Sequence, residues 1–410
     1  MNDSDKEVKE IVLRDVEPVL RQKLGNHVTV ENFTTEILLP PGENYGSMIL
    51  KVTVQVKNEI TGKKEDLHLI AKMLPPTEFQ RLIFNSLDTI KKEVFMYETI
   101  MPTYNKVELE AGIKQNDLFD VVPKFYGFRL SSQPDVELND DAVILMDNLK
   151  NKGYYTGERT IGYDLKHSEM AIENLARFHA LGMAVKLKKP EIFEVFKSRA
   201  KPLKVEGNPE EVVSSIMKKI KEHPEMNCYV DKCYNNMKDM LMKDFWADTP
   251  REPWMTIIHG DFWVNNILFH DDENGQPDDV KFIDFQIYMY ASSLRDLLFF
   301  MFASVRTDII GEQFEGLMDL YYDTLLSRLQ QLECDITGFS KEGFREKLAE
   351  DASHEFLHLC VMAKILTLDV KESNFTYDKL HNFLNDYDGN QEFVERLLKI
   401  VLYFSKHDWI

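Results

Sequence analysis

From Met48 to Val56 the even-numbered positions are apolar (Met48, Leu50, Val52, Val54, Val56) and the odd ones mostly polar (Lys51, Thr53, Gln55). Alternation with period two predicts a strand with one buried face. A turn at Glu59-Ile60-Thr61-Gly62-Lys63-Lys64 leads into a second alternating run through Leu67, Leu69, Ala71 and Met73, which Pro75-Pro76 stops. Two such runs joined by a glycine-containing turn predict an antiparallel hairpin. The period then changes. Between Phe79 and Met101, residues Leu82, Ile83, Leu87, Ile90, Val94 and Tyr97 form a broad stripe at helical spacing, with Pro102 as the expected stop. Two short apolar runs, Lys124–Leu130 and Ala142–Met146, flank the loop Ser131-Ser132-Gln133-Pro134-Asp135 and predict further strands.

Beyond Asn151-Lys152-Gly153 the texture is helical. Ser168–Val185 carries Ile172, Leu175, Ala176, Phe178 and Leu181 on one face, and Pro190–Asp248 is charged and helix-compatible. A strand-like island at Thr256–Asp284 interrupts a helical pattern that runs to Ile410. The fold class expected is α+β with two lobes. Residues 1–149 form a small antiparallel β-rich lobe, and residues 150–410 a larger, mostly α-helical one.

Composition narrows the function. The 410 residues carry 49 basic and 69 acidic side chains, a formal charge of −20. Such a surface disfavours nucleic acid and anionic membranes, which need clustered Lys and Arg. With 44% apolar and 11% aromatic residues the chain can fill a sizeable core. The charged start, Met1-Asn2-Asp3-Ser4-Asp5-Lys6-Glu7, has no apolar signal region, and the longest apolar stretch, Leu297–Val305, is too short for a bilayer. Cys228, Cys233, Cys334 and Cys360 show no C-x-x-C spacing and read as reduced thiols. A cytoplasmic protein with no membrane, nucleic-acid or protein partner is expected.

The island holds the chemistry. It reads His259-Gly260-Asp261-Phe262-Trp263-Val264-Asn265-Asn266-Ile267-Leu268-Phe269, a Gly/Asp/Pro turn, then Lys281-Phe282-Ile283-Asp284-Phe285-Gln286. The skeleton H-G-D-x-x-x-x-N followed by Asp-Phe supplies what phosphoryl transfer from a nucleotide requires. A carboxylate (Asp261) orients the acceptor hydroxyl and takes its proton, while a second carboxylate (Asp284) and an amide oxygen (Asn266) hold Mg²⁺ against the phosphates. Upstream, Lys72 lies on the strand face opposite Leu67, Leu69 and Ala71, so it can point into a cleft and meet phosphate oxygens. Glu93, in the middle of the next helix, is its expected ion-pair partner, with Glu98 as a rival. The turn Pro40-Pro41-Gly42-Glu43-Asn44-Tyr45-Gly46-Ser47 can bring backbone N–H groups to phosphates, although it is not the G-x-G-x-x-G of protein kinases.

These motifs resemble the ecdysteroid kinase-like family, a branch of the protein-kinase-like fold that also holds choline kinases and aminoglycoside phosphotransferases. Supporting pieces are Phe95, Tyr97 and Pro102 around Glu93, Leu175-Ala176-Arg177-Phe178-His179-Ala180, and Arg295-Asp296-Leu297; glutamine after Asp-Phe is characteristic. The resemblance implies ATP-dependent, Mg²⁺-assisted phosphorylation of a small-molecule alcohol, in the best-known members an ecdysteroid. Residue by residue, it implies Asp261 as base or orienter and Asn266 and Asp284 as metal ligands. Lys72 paired with Glu93 would contact the phosphates, and the turn containing Gly42, Asn44, Tyr45, Gly46 and Ser47 would cover them. The backbone of Asp147 and Leu149, in the hinge-like Met146-Asp147-Asn148-Leu149, would meet adenine. The family usually carries an acidic pair near that hinge, and Met-Asp stands here instead. Asp296 is expected to brace the catalytic loop, and His179 to sit in a helix–helix core.

Other readings compete. A choline-, ethanolamine- or xenobiotic-directed kinase would share the same machinery. A pseudokinase would lack one of Lys72, Asp261, Asn266 or Asp284, and none is missing. His354-Glu355-Phe356-Leu357-His358 matches the zinc-protease signature H-E-x-x-H. It offers no evident third ligand and leaves the other four residues unexplained. The plain alternative is an amphipathic helix with Phe356, Leu357, Val361 and Ile365 inward and partly exposed histidines.

Overall fold

The computed structural model describes residues 11–38, 46–83, 85–202, 209–242, 251–367 and 390–410. A five-stranded antiparallel sheet, in the order β1-β2-β3-β5-β4, forms the N-terminal lobe. Its strands are β1 (Val28–Ile37), β2 (Met48–Asn58), β3 (Lys64–Met73), β4 (Phe125–Arg129) and β5 (Val143–Asp147). The predicted hairpin is β2–β3, with Leu50 opposite Ala71 and Val52 opposite Leu69. Helix α1 (Val16–Leu24) covers one face, where Val52, Val54, Leu69, Ala71, Val143 and Leu145 form a small core with Val16, Val19 and Leu20. The alternate residues of β5, Ile144 and Met146, belong to the main core on the other face. A strand buried on both sides reads as a continuous apolar run, as Ala142–Met146 does.

The helical segment after the hairpin departs from the sequence expectation. It is broken into α2 (Glu78–Ile83) and α3 (Ser86–Phe95), followed by a π-helical turn at Met96–Ile100 and then α4 (Met101–Glu110). Pro102 therefore does not end the helix. It stands in the first turn of α4, where its missing N–H is tolerated because the preceding π turn absorbs the mismatch. Leu82 and Leu87, assigned from the stripe to the buried side, are 78% and 48% exposed, because the break at residue 85 rotates the early turns off the face that Ile90, Val94 and Tyr97 bury.

In the larger lobe α5 (Leu165–Lys188) packs along α10 (Thr307–Gln331). Asp164 caps α5 by accepting from the His167 N–H. The segment after α5 forms α6 (Pro190–Arg199), α7 (Pro209–Glu222) and α8 (Val230–Met242). The island supplies β7 (Met255–Ile258), β8 (Ile267–Asp271), β9 (Pro277–Phe282) and β10 (Met289–Ser292). Strands β8 and β9 form the expected hairpin, which the short strand β6 (Tyr155–Thr156) extends, and β7 pairs with β10.

Helix α9 (Ser293–Ser304) is buried along its whole length, which is why its sequence is apolar on every side. Helices α11 (Lys341–Leu366) and α12 (Gln391–Lys406) pack on each other, and α11 also packs on α9. Each large apolar side chain buried here contributes about 1.5–3 kcal/mol. Among the described residues no helix is long and apolar enough to cross a membrane. All four cysteines are free thiols.

Candidate active site

Three pieces of backbone converge between the lobes. The first is the end of β3, where Lys72 occupies the face opposite Leu69 and Ala71. Its Nζ lies 2.5 Å from Glu93 Oε2 on α3 and 2.6 Å from Asp284 Oδ1. Lysine and glutamate are both almost wholly buried, at 6% and 1% exposure. Burial opposes the lysine's charge, but the two carboxylates overcome it and raise its pKa above the ordinary value. Burial pushes the Glu93 carboxyl upward, against the pull of Lys72. The Tyr97 hydroxyl donates to Glu93 Oε1 at 3.4 Å. The rival Glu98 instead pairs with Lys23 at 2.8 Å, away from Lys72.

The second piece is the loop after β7. Gly260 takes φ +82°, and a Cβ there would stand 2.7 Å from the Ile287 carbonyl oxygen, so glycine is required. Asp296, in the first turn of α9, accepts from the His259 N–H at 2.6 Å and the Gly260 N–H at 3.0 Å. His179 Nε2 approaches the same carboxylate at 3.2 Å, while its Nδ1 meets the Tyr321 hydroxyl at 2.7 Å. His259 Nε2 lies 3.0 Å from the Ile283 carbonyl, and its Nδ1 accepts from the Asp261 N–H at 3.3 Å. A carbonyl can only accept, so these partners assign the proton to Nε2. Burial lowers the His259 pKa, which fits a neutral ring.

Asp261 follows. The Asn266 side-chain NH₂ donates both to its backbone carbonyl, at 2.9 Å, and to its carboxylate, at 2.8 Å. Burial first, then the charge of Asp284, push the Asp261 carboxyl up to about 7, opposed by the Asn266 amide and by the charge of His358.

The third piece follows β9. The Ile283 N–H donates to the Asn266 carbonyl at 3.0 Å, which ties the two halves of the island together. Asp284 then takes a left-handed conformation, φ 66° and ψ 54°, uncommon for a residue with a Cβ. That twist aims its carboxylate at Lys72. Gln286 packs against Gly46, where a Cβ would lie 3.0 Å from its side-chain nitrogen. The Ser86 hydroxyl donates to the Gly46 carbonyl at 3.4 Å. Gly46 and the buried Ser47 thus lie beside the Asp-Phe-Gln segment. Gly42, Asn44 and Tyr45 fall outside the described residues.

At the junction of the lobes the Asp147 N–H donates to the Lys124 carbonyl at 2.9 Å, and its carboxylate pairs with Lys152 at 2.5 Å. The Asn148 N–H donates to the His68 carbonyl at 3.0 Å. Leu149 opens a 3₁₀ turn, Leu149–Lys152.

The structure brings Lys72, Glu93, Asp284, Asp261 and Asn266 into one connected set. Two neighbouring carboxylates, with a lysine on one and an amide on the other, suit a divalent cation shared with phosphate oxygens. Magnesium usually takes only one or two protein carboxylates in such sites. Among the described residues no cluster of three His, Cys, Asp or Glu side chains could hold a metal by itself.

The H-E-x-x-H segment lies on α11, and it is not built as a zinc site. Glu355 Oε1 is 2.5 Å from Arg295 Nε, and Glu355 Oε2 is 2.8 Å from His358 Nδ1. The His358 ring stacks on Phe299, with centroids 4.7 Å apart. The glutamate is therefore committed to a buried arginine. Phe356 and Leu357 point inward as expected, whereas Val361 and Ile365 are only half-buried. Sequence reading missed the pairing of Glu355 with Arg295, which joins α11 to α9 and leaves no local signal.

No curated protein matches the sequence. Among solved structures, the Plasmodium vivax ethanolamine kinase is 11% identical, covering 92% of this chain and 84% of its own, with a TM-score of 0.39. The amicoumacin kinase hAmiN, solved with AMP-PNP, Ca²⁺ and Ami, is 12% identical over 86% of this chain and 87% of its own, also at 0.39. A choline/ethanolamine kinase family protein from Mesorhizobium loti is 10% identical over 93% and 97%, at 0.31. Likeness at this level says nothing of substrate. The sequence itself is more specific: a model of the ecdysteroid kinase-like family matches residues 41–334. Because that match takes in Lys72, Glu93, the His259–Asn266 loop and the Asp-Phe-Gln segment, the chain belongs to the ecdysteroid kinase-like family and is a small-molecule phosphotransferase.

Proposed function

We propose that the protein transfers the γ-phosphoryl group of ATP to a hydroxyl of an ecdysteroid-like steroid alcohol, with Asp261 as the catalytic residue. The observation that carries the reading is the connected set itself. Lys72 is held by Glu93 and Asp284, and Asp261 is tied to Asn266 in the same loop, just before β8.

Lys72 would meet the phosphate oxygens, with Gly42, Asn44, Tyr45, Gly46 and Ser47 covering them. The carbonyl of Asp147 and the N–H of Leu149 would meet adenine. The boundary between nucleotide-binding and acceptor-binding lobes would fall between residues 149 and 150. Asn266 commits its nitrogen to Asp261, so its Oδ1 is the atom left to face a metal, beside the Asp284 carboxylate. Mg²⁺ bound there would neutralise charge on the phosphates.

Asp261 would orient the acceptor oxygen for in-line attack. An alcohol is a far weaker acid than a carboxylic acid, so the proton would move late, after bond formation to phosphorus is advanced. The burial that raises the Asp261 pKa makes it a better proton acceptor when the transfer comes.

The test is incubation with Mg·ATP and a panel of ecdysteroids, other sterols, amino alcohols and aminoglycosides, with phosphorylated products read by mass spectrometry. Phosphorylation of ecdysteroids alone supports the reading, and phosphorylation of amino alcohols alone replaces the acceptor. For the site, Asp261→Asn should leave nucleotide binding near normal and cut kcat by about a hundredfold or more. Near wild-type turnover in that variant removes Asp261 from the mechanism.

A further inference from the structure

A cavity of about 370 Å³ opens between α3 and the end of α6. It shares no residue with the Lys72–Glu93–Asp284 cluster. Its lining includes Lys91, Lys92, Arg199 and Lys201 against a single carboxylate, Asp88. In a chain of net charge −20, four cations at one opening run against the overall composition. Thr89, Ser198 and Asn85 add two hydroxyls and an amide.

Lys92 is the residue around which this pocket is organised. Its ammonium donates to the Lys201 carbonyl at 2.8 Å and lies 4.9 Å from the centre of the Tyr288 ring. Among the described residues no carboxylate comes within ion-pair distance of it. Asp88 acts on it through space and is itself hydrogen-bonded to the Asn85 amide at 2.8 Å. Burial without a paired anion lowers the Lys92 pKa to about 8. Lys91, by contrast, is balanced by Glu137 at 2.7 Å. Arg199 reaches in from the opposite wall, its guanidinium over the Phe95 ring. Cations thus approach from two separate elements, an arrangement suited to a tetrahedral dianion. The volume falls in the range of small-molecule sites and leaves room beyond a bare phosphate.

We propose that this cavity binds a phosphate-bearing anion, held between Lys92 and Arg199. The dianion completes the pairing of a half-buried ammonium whose partners among the described residues are one backbone carbonyl and the face of the Tyr288 ring. Because Lys92 directly precedes Glu93, the ligand would sit on the same helix that positions Lys72, yet it would not compete with nucleotide.

The test is isothermal titration of the full chain with inorganic phosphate and, separately, with glycerol 3-phosphate, at ionic strength held constant with chloride. Both should bind in the millimolar range or tighter, and the tighter of the two identifies free phosphate or an ester as the source. Arg199→Gln should weaken binding about tenfold and Asp88→Asn should tighten it several-fold, since one removes an attractive charge and the other a repulsive one. Lys72→Met should leave it unchanged. Arg199 and Asp88 are exposed, so neither variant puts folding at risk. The absence of binding, indifference to both pocket variants, or loss of binding in Lys72→Met would each overturn the proposal.

Discussion

Asp296→Asn tests how the loop after β7 is held. The wild-type carboxylate is 2% exposed and receives the N–H groups of His259, at 2.6 Å, and of Gly260, at 3.0 Å, with His179 Nε2 at 3.2 Å. An asparagine has one acceptor oxygen. Placed where Oδ2 stands, it keeps His259 and His179 but turns its NH₂ toward the Gly260 N–H. One charge-assisted hydrogen bond is lost and a buried N–H faces another donor, a cost of about 3 kcal/mol. The same loss, expressed locally, would speed amide exchange at Gly260 about a hundredfold. Hydrogen-exchange mass spectrometry of the 255–262 segment reads the second quantity, and urea unfolding followed by circular dichroism reads the first. Turnover should fall while nucleotide affinity holds, because Lys72, Glu93 and Asp284 are untouched. An unchanged urea midpoint together with unchanged exchange would show that the three contacts do not hold the loop.

Other outcomes follow from the same geometry. Lys72→Met leaves Glu93 buried beside Asp284 without its cation; nucleotide affinity by calorimetry should drop more than about tenfold and stability by about 3 kcal/mol, and normal nucleotide binding would remove Lys72 from the phosphate site. Burial alone would raise the Glu355 pKa, but Arg295 and His358 hold it at about 2, below its ordinary 4.5. A depressed carboxyl stabilises the fold fully above pH 4.5 and loses that contribution as pH falls toward 2, here about 3 kcal/mol. The urea midpoint should therefore fall steeply across that window in wild type and less steeply in Glu355→Gln; parallel curves would contradict the pairing. Gly260→Ala forces a Cβ to within 2.7 Å of the Ile287 carbonyl at a positive φ, and should cost at least about 2 kcal/mol by urea unfolding; a neutral result would mean that the loop relaxes freely.

Much of this protein was decided locally. Alternation of period two specified β2 and β3 and put Lys72 on the face away from Leu69 and Ala71, because a strand allows only two directions for a side chain. The spacing in His259–Asn266 and Ile283–Gln286 named the groups of the candidate site, since two short strands joined by a turn must return the chain to its start. What the sequence left open depended on distant partners. The stripe through Leu82 and Leu87 gave no sign of the break at residue 85, and Pro102 could not show that a π turn ahead of it would let the helix continue. The choice of Glu93 over Glu98 required knowing which turn of α3 faces β3. The apolar run after Asp296 became a core helix only when other elements surrounded it. The pairing of Glu355 with Arg295 joins α11 to α9, and the cavity around Lys92 joins α3 to α6. Such features arise when separate elements pack, and hydrophobic periodicity records which side of an element is buried but not what it is buried against.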